Sequence, residues 1–131
     1  MKIVMVFGTF DILHPGHLNF FKQAKEHGDY LIIVVGRDST IKEVKGEYPL
    51  HNEEQRLENI INLKITGTAV LGSVGDKYKV IRKFNPDCIC LGYDQKFFIE
   101  KLQETFPKIK IVRLKAYKPN IYKSSLLKKI R

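Results

Sequence analysis

The stretch from Gly8 to His17, GTFDILHPGH, leaves the chain few ways to fold. Directly before it runs Lys2 to Phe7, an apolar segment bounded by glycine, which reads as a buried strand. Directly after it the pattern turns helical, and Pro15 suits a first helical turn because its φ is already helical and the N–H it lacks would be unpaired there. The stretch is therefore a strand-to-helix crossover. At such a crossover the N–H groups of the first turn and the positive end of the helix dipole favour an anion such as phosphate. His14 and His17 add directional donors, and Gly16 between them lets a ligand approach the backbone. The combination reads as a triphosphate cradle, not as a metal pair.

The rest of the chain alternates. The opening helix is expected over Pro15 to His27, with Leu18, Phe21 and Ala24 inward, Phe20 widening that face and Gly28 as the stop. Tyr30 to Val35 is an apolar, β-branched run, as in a strand covered on both faces of a parallel sheet. Asp38 or Ser39 is expected to cap a short helix through Val44, followed by a turn at Gly46. Asn52 to Gln55 has capping-box spacing, and the helix it opens presents Leu57, Ile60 and Ile61 inward before ending near Leu63. Strands follow at Thr68 to Leu71, Asp87 to Leu91 and Ile109 to Leu114, separated by helices over Lys77 to Phe84 and Phe97 to Thr105. Ser124 starts a terminal helix through Arg131.

This order predicts an α/β fold: a doubly wound, Rossmann-like, five-stranded parallel sheet with helices on both faces, forming a single domain over residues 1–131. Ligands of such sheets sit at the carboxyl ends of strands, where the loops after the first and fourth strands converge. Those loops hold His14, His17 and Asp94.

A chain of 131 residues buries a core without staples, and its 44% hydrophobic and 28% charged residues are those of an ordinary globular protein. It has no long apolar run and no signal peptide before the first strand, so a cytoplasmic protein without a membrane partner is expected. Cys88 and Cys90 alternate along a strand and read as small buried hydrophobes. The formal charge of +9 invites a nucleic-acid reading, yet the basic residues are spread along the chain and concentrate only toward its end. A basic surface around a site for polyanionic nucleotides accounts for them, which disfavours nucleic acid as a partner.

GTFDILHPGH, followed in order by VGRDSTIKEVKGE, NEEQR and LGYDQ, resembles the cytidylyltransferase-like nucleotidyltransferase superfamily over nearly the whole chain. Within it, RDSTIKEVKG and LGYDQ are most similar to the archaeal FAD synthetase branch, and next to the glycerol-3-phosphate cytidylyltransferase branch. The resemblance implies that a substrate phosphate attacks the α-phosphorus of a nucleoside triphosphate and pyrophosphate leaves. An ionised phosphate is already a nucleophile, so the protein's work is alignment and neutralisation of charge.

By the same resemblance His14, His17 and Lys45 are the catalytic groups: the histidines on phosphate oxygens, the lysine as a fixed charge for the triphosphate or the acceptor phosphate. Gly8, Thr9 and Phe10 would lie against the nucleotide with backbone and hydroxyl, joined by Asp94, Ser124 and Ser125. Arg56 would act directly or brace the site, unless it forms only surface ion pairs. Asp11 would orient donors, meet magnesium, or simply shape the loop. Lys128 stands where the family has an arginine. Mg²⁺ or another divalent cation, ATP and FMN as substrates, and a homodimer are also implied; the metal's ligands are left open. The expected reaction is AMP transfer from ATP to FMN. The alternatives are a CTP-dependent enzyme acting on glycerol 3-phosphate or a related alcohol phosphate, and a non-catalytic nucleotide- or nucleic-acid-binding module. His27 and His51, standing alone, are expected at the surface.

Overall fold

The computed structural model describes residues 1–65, 67–93, 95 and 101–116. Its strands are β1 (Ile3–Gly8), β2 (Tyr30–Val35), β3 (Gly67–Leu71), β4 (Cys88–Leu91) and β5 (Lys110–Arg113). Its helices are α1 (Pro15–Lys25), α2 (Asp38–Lys45), α3 (Glu53–Ile61), α4 (Lys79–Phe84) and α5 (Leu102–Thr105). The sheet has five strands in the order β3-β2-β1-β4-β5, with every pair parallel. The chain thus winds outward from β1 to β3, then returns to the far side of β1. The reversal lies between β1 and β4, and the carboxyl ends of those two strands frame the crevice characteristic of this topology.

Alternation along the strands divides the core. Val4, Val6, Leu31, Ile33, Val35, Cys88 and Cys90 pack with Phe21 and Ala24 of α1 and Ile60 of α3. Met5, Phe7, Ile32, Val34, Ile89 and Leu91 pack with Val80 and Ile81 of α4 and Leu102 of α5. Helices therefore cover both faces, as the uninterrupted apolar strands require. The two thiols lie side by side on one face, with their sulfurs 3.9 Å apart. Burial pushes both of them up from the ordinary thiol value, which keeps them protonated and inert.

Several local expectations are corrected. Leu18 and Ile61 are exposed, because the inward stripe of α1 is carried by Phe21 and Ala24 and that of α3 by Ile60 and the guanidinium of Arg56. Neither Asp38 nor Ser39 is the cap of α2; the N-cap is Arg37, whose side chain makes no capping bond. Asn52 does cap α3, its Oδ1 accepting from the Gln55 N–H at 2.8 Å. The reciprocal half of the box is missing, because the Gln55 amide donates to Asn59 instead.

Helix α1 ends at Lys25 with Glu26 still right-handed, so Gly28 is not a left-handed stop. Its need is space: a Cβ there would lie 2.5 Å from Val4 Cγ2 and 2.9 Å from the Lys2 carbonyl oxygen. The expected helix over Phe97 to Thr105 is described only from Lys101 onward, and the terminal helix lies outside the described residues.

The atoms facing Gly28 are a fully buried side chain of the central strand and the backbone just before it, which have little room to yield. Gly28→Ala is expected to lower the unfolding free energy by about 1–3 kcal/mol, the cost of overpacking. Leu18→Ala, at an exposed position, should stay within about 0.5 kcal/mol of the parent. Urea unfolding followed by circular dichroism measures both.

Candidate active site

The loop leaving β1 is shaped by a residue pair. Phe10 has φ +53°, a left-handed conformation that costs a non-glycine residue about 1–3 kcal/mol. That turn sends its ring back over the end of the strand, where a Cβ on Gly8 would lie 2.5 Å from the ring. Only glycine fits beneath it. The buried ring then meets His17 edge-on, with centroids 5.4 Å apart, and tilts against Phe21 at 5.1 Å. The side chain of Phe10 is thus core, and what the loop offers a ligand at this residue is backbone.

His14 is the N-cap of α1, in the extended conformation that a following proline favours. Its Nδ1 accepts from the Gly16 N–H at 3.1 Å. A ring nitrogen that accepts is unprotonated, so the neutral ring carries its proton on Nε2. The first-turn N–H that the sequence reading offered to an anion is therefore used by His14.

His17, one turn into α1, stacks on His14 with centroids 3.9 Å apart and planes 27° apart. Burial, then the neighbouring His14 and the Lys45 ammonium, push its pKa down to about 3. Burial also lowers that of His14. Both rings are accordingly neutral at pH 7. Lys45, the last residue of α2, reaches Thr9 Oγ1 at 3.1 Å. The structure thereby brings Gly8, Thr9, His14, His17 and Lys45 to one end of the sheet. Asp94, Ser124, Ser125 and Lys128 lie outside the described residues.

Behind this front stands a polar scaffold. Arg56 is fully buried. Its Nε donates to the His51 carbonyl at 2.9 Å, one terminal nitrogen to the Thr9 carbonyl at 2.8 Å and the other to Asp38 Oδ1 at 2.7 Å. It is no surface ion-pair residue, and these bonds turn it to the loops and away from bulk solvent. Asp11, buried as well, accepts the Leu50 N–H at 2.7 Å and the His51 N–H at 2.9 Å on its two oxygens. A carboxylate so engaged shapes the loop and is poorly placed to be a metal ligand.

His51 is not a bystander either. Its Nδ1 lies 2.9 Å from the Asp11 carbonyl oxygen, an atom that only accepts, so Nδ1 holds the proton. The N-termini of α2 and α3 complete the scaffold. The Asp38 N–H donates to Glu53 Oε1 at 2.9 Å, and the Glu53 N–H donates to Asp38 Oδ2 at 3.2 Å. Arg37 then ties Glu53 to the Gly72 carbonyl beyond β3, at 2.8 Å each. Sequence reading missed His51, Arg37, Asp38 and Glu53 as parts of the site's frame. The only local signal was acidic side chains at two helix starts, which suits the helix dipole in any protein.

Among the described residues no cluster of three or more His, Cys, Asp or Glu side chains could hold a metal ion, and no helix is long and apolar enough to cross a membrane.

Comparison with known proteins identifies the family and the fold. The sequence model described as cytidylyltransferase-like matches residues 5–130. An FAD synthase of Thermoplasma volcanium is 43% identical over 130 residues, covering 96% of this chain and 91% of that protein. An FAD synthase of Aciduliprofundum boonei is 46% identical over 121 residues, covering 89% and 80%. A crystal structure from Thermoplasma volcanium, described as a lipopolysaccharide core biosynthesis protein, superposes with a TM-score of 0.83 at 45% identity, covering 89% of this chain and 98% of that one.

Removing the guanidinium strands two loop carbonyls and the Asp38 carboxylate. Arg56→Met is expected to lose about 3–5 kcal/mol of stability in urea unfolding, as for a broken buried ion pair. Arg56→Lys should recover only part, since a point charge cannot serve three separated acceptors.

The histidines make a pH prediction. The unfolded chain takes up a proton at His17 near pH 6.5, while the folded chain resists until about pH 3. The unfolded state thus binds more protons in that window, and folding stability should fall as pH drops through it. Ring-proton NMR should place the titration of His17 near pH 3 and that of His14 below 6.5.

Proposed function

Since the chain belongs to the cytidylyltransferase-like family, we propose that it is an FAD synthase, a nucleotidyltransferase that moves AMP from ATP to FMN. The observation that carries this is its extended identity to FAD synthases over nearly the full chain, together with a family match over residues 5–130 that includes the histidine crossover.

The reaction forms a bond between an FMN phosphate oxygen and the α-phosphorus of ATP. The bond from that phosphorus to the bridging oxygen breaks, and pyrophosphate carries away the electron pair. The FMN phosphate is largely dianionic at pH 7, so no group has to remove a proton, and the protein's contribution is position and charge.

His14 donates from Nε2 to a phosphate oxygen, backed by the Gly16 N–H on its other nitrogen. His17, stacked beneath, is held neutral by burial. An arriving polyanion supplies the partner that water no longer supplies, which favours the protonated imidazole as negative charge grows on the leaving pyrophosphate. Lys45 adds a permanent charge, and Thr9 fixes its ammonium. Gly8 and the Phe10 backbone give the nucleotide a close approach. Asp94, Ser124 and Ser125, with Lys128 in support, are assigned to the nucleotide by the resemblance of their motifs. Arg56 and Asp11 act from behind, by holding the loops.

A divalent cation is assigned to the triphosphate itself. With the Asp11 oxygens engaged by backbone N–H groups, Mg²⁺ enters on the oxygens of ATP, as a part of that substrate. The working form is proposed as a homodimer of one-domain subunits in the cytoplasm, in line with the family resemblance.

The test crosses ATP and CTP with FMN and glycerol 3-phosphate while pyrophosphate release is followed. Turnover is expected with ATP and FMN. Turnover only with CTP and an alcohol phosphate would overturn the assignment. His14→Asn and His17→Asn should each lower kcat by about 10²–10³, the cost of one lost transition-state donor, with little change in the KM for FMN.

A further inference from the structure

A strap, residues 46–50, joins α2 to α3 and is tied at both ends to one loop. At one end Lys45 Nζ donates to Thr9 Oγ1 at 3.1 Å; at the other the Leu50 N–H donates to Asp11 Oδ2 at 2.7 Å. Thr9 and Asp11 belong to the crossover that carries His14 and His17, so the strap is fastened to the edge of the proposed site. Gly46, at φ +85°, turns the chain into it.

What the strap displays is unlike the rest of its polar surroundings. Tyr48 is 64% exposed and Leu50 58%, and Val44 on the last turn of α2 is 40% exposed. None of the three belongs to either core cluster. Lys42 holds its ammonium 5.6 Å from the centroid of the Tyr48 ring and donates to the Gly46 carbonyl at 2.8 Å. Two residues of chain span at most about 7 Å, so the backbone of Tyr48 stays within that distance of Leu50, which is bonded to Asp11. The strap therefore sets an exposed aromatic ring and the ammonium groups of Lys42 and Lys45 at one margin of the crossover. The margin thus carries apolar and aromatic side chains close in sequence to two ammonium groups.

We infer that the strap is the acceptor side of the site, with Tyr48 stacking on the isoalloxazine ring of FMN and Lys45 taking the FMN phosphate. The occupant follows from the chemistry displayed: planar and aromatic at one end, dianionic at the other. An alcohol phosphate would make no use of the ring. This rests on the FAD synthase reading and goes further by naming the groups that select the acceptor.

The full chain, Tyr48→Ala and Tyr48→Phe are compared by quenching of FMN fluorescence and by pyrophosphate release. Tyr48→Ala should weaken FMN binding and raise the KM for FMN about tenfold, the effect of a lost stacking partner, while the KM for ATP holds. Tyr48→Phe keeps the ring and should restore both values, which a role through the hydroxyl would not allow. If the parent turns over ATP and FMN but Tyr48→Ala binds FMN as tightly as the parent, the strap assignment fails and the enzymatic reading survives. A parent that neither quenches FMN nor releases pyrophosphate with it overturns both. Sedimentation closes the remaining route: a Tyr48→Ala variant that self-associates less yet binds FMN normally assigns the strap to a contact between copies, and the inference falls.

Discussion

One buried cation holds the catalytic end of this fold together. The guanidinium of Arg56 stands where the loops after β1 and β2 meet the start of α3, and it bonds to one acceptor from each. Taking a charge out of water is costly, and the compensation here is complete only in one arrangement of Thr9, Asp38 and His51. The loop that presents the histidines is therefore fixed from behind by a group that has no need to touch a substrate. Asp11 does the converse, a buried anion gathering two N–H donors from the segment before α3. Between them the two charges convert flexible connections into a rigid rim, and rigidity is what an enzyme needs when alignment is most of its chemistry.

The front of the site follows a second rule, in which burial keeps two neighbouring imidazoles neutral. His14 gains a defined proton by accepting the Gly16 N–H, and His17 is kept uncharged by burial and by the cations beside it. Lys45 thus stands as a permanent charge beside two neutral imidazoles.

Much of the fold could be read from the chain because the signals were local and repeated. Tyr30 to Val35 is a strand to the residue, since an unbroken β-branched run fits little else. The parallel five-stranded sheet follows from the alternation of strands and helices, whereas its strand order is known from the structure. What escaped was set by partners distant in sequence. Nothing near Arg56 announces that Thr9 will lie against it, and a helical wheel gives Ile61 the inward place that the guanidinium holds. Gly28 was read as a helix stop because glycine commonly is one, whereas the close approach of Val4 requires it. His51 was set aside as solitary, and its partner Asp11 is forty residues away along the chain. The core of the site, in contrast, was legible at once, because His14, Gly16 and His17 share one turn of helix with the strand that positions them.

The exchange between Asp38 and Glu53 has a consequence for motion. Each residue supplies the carboxylate that satisfies the other's N–H, so the first turn of α2 and the first turn of α3 hold each other closed. Neither can fray alone without exposing a donor in its neighbour. The two helix starts are thereby coupled, because opening either one takes the carboxylate from the other's N–H.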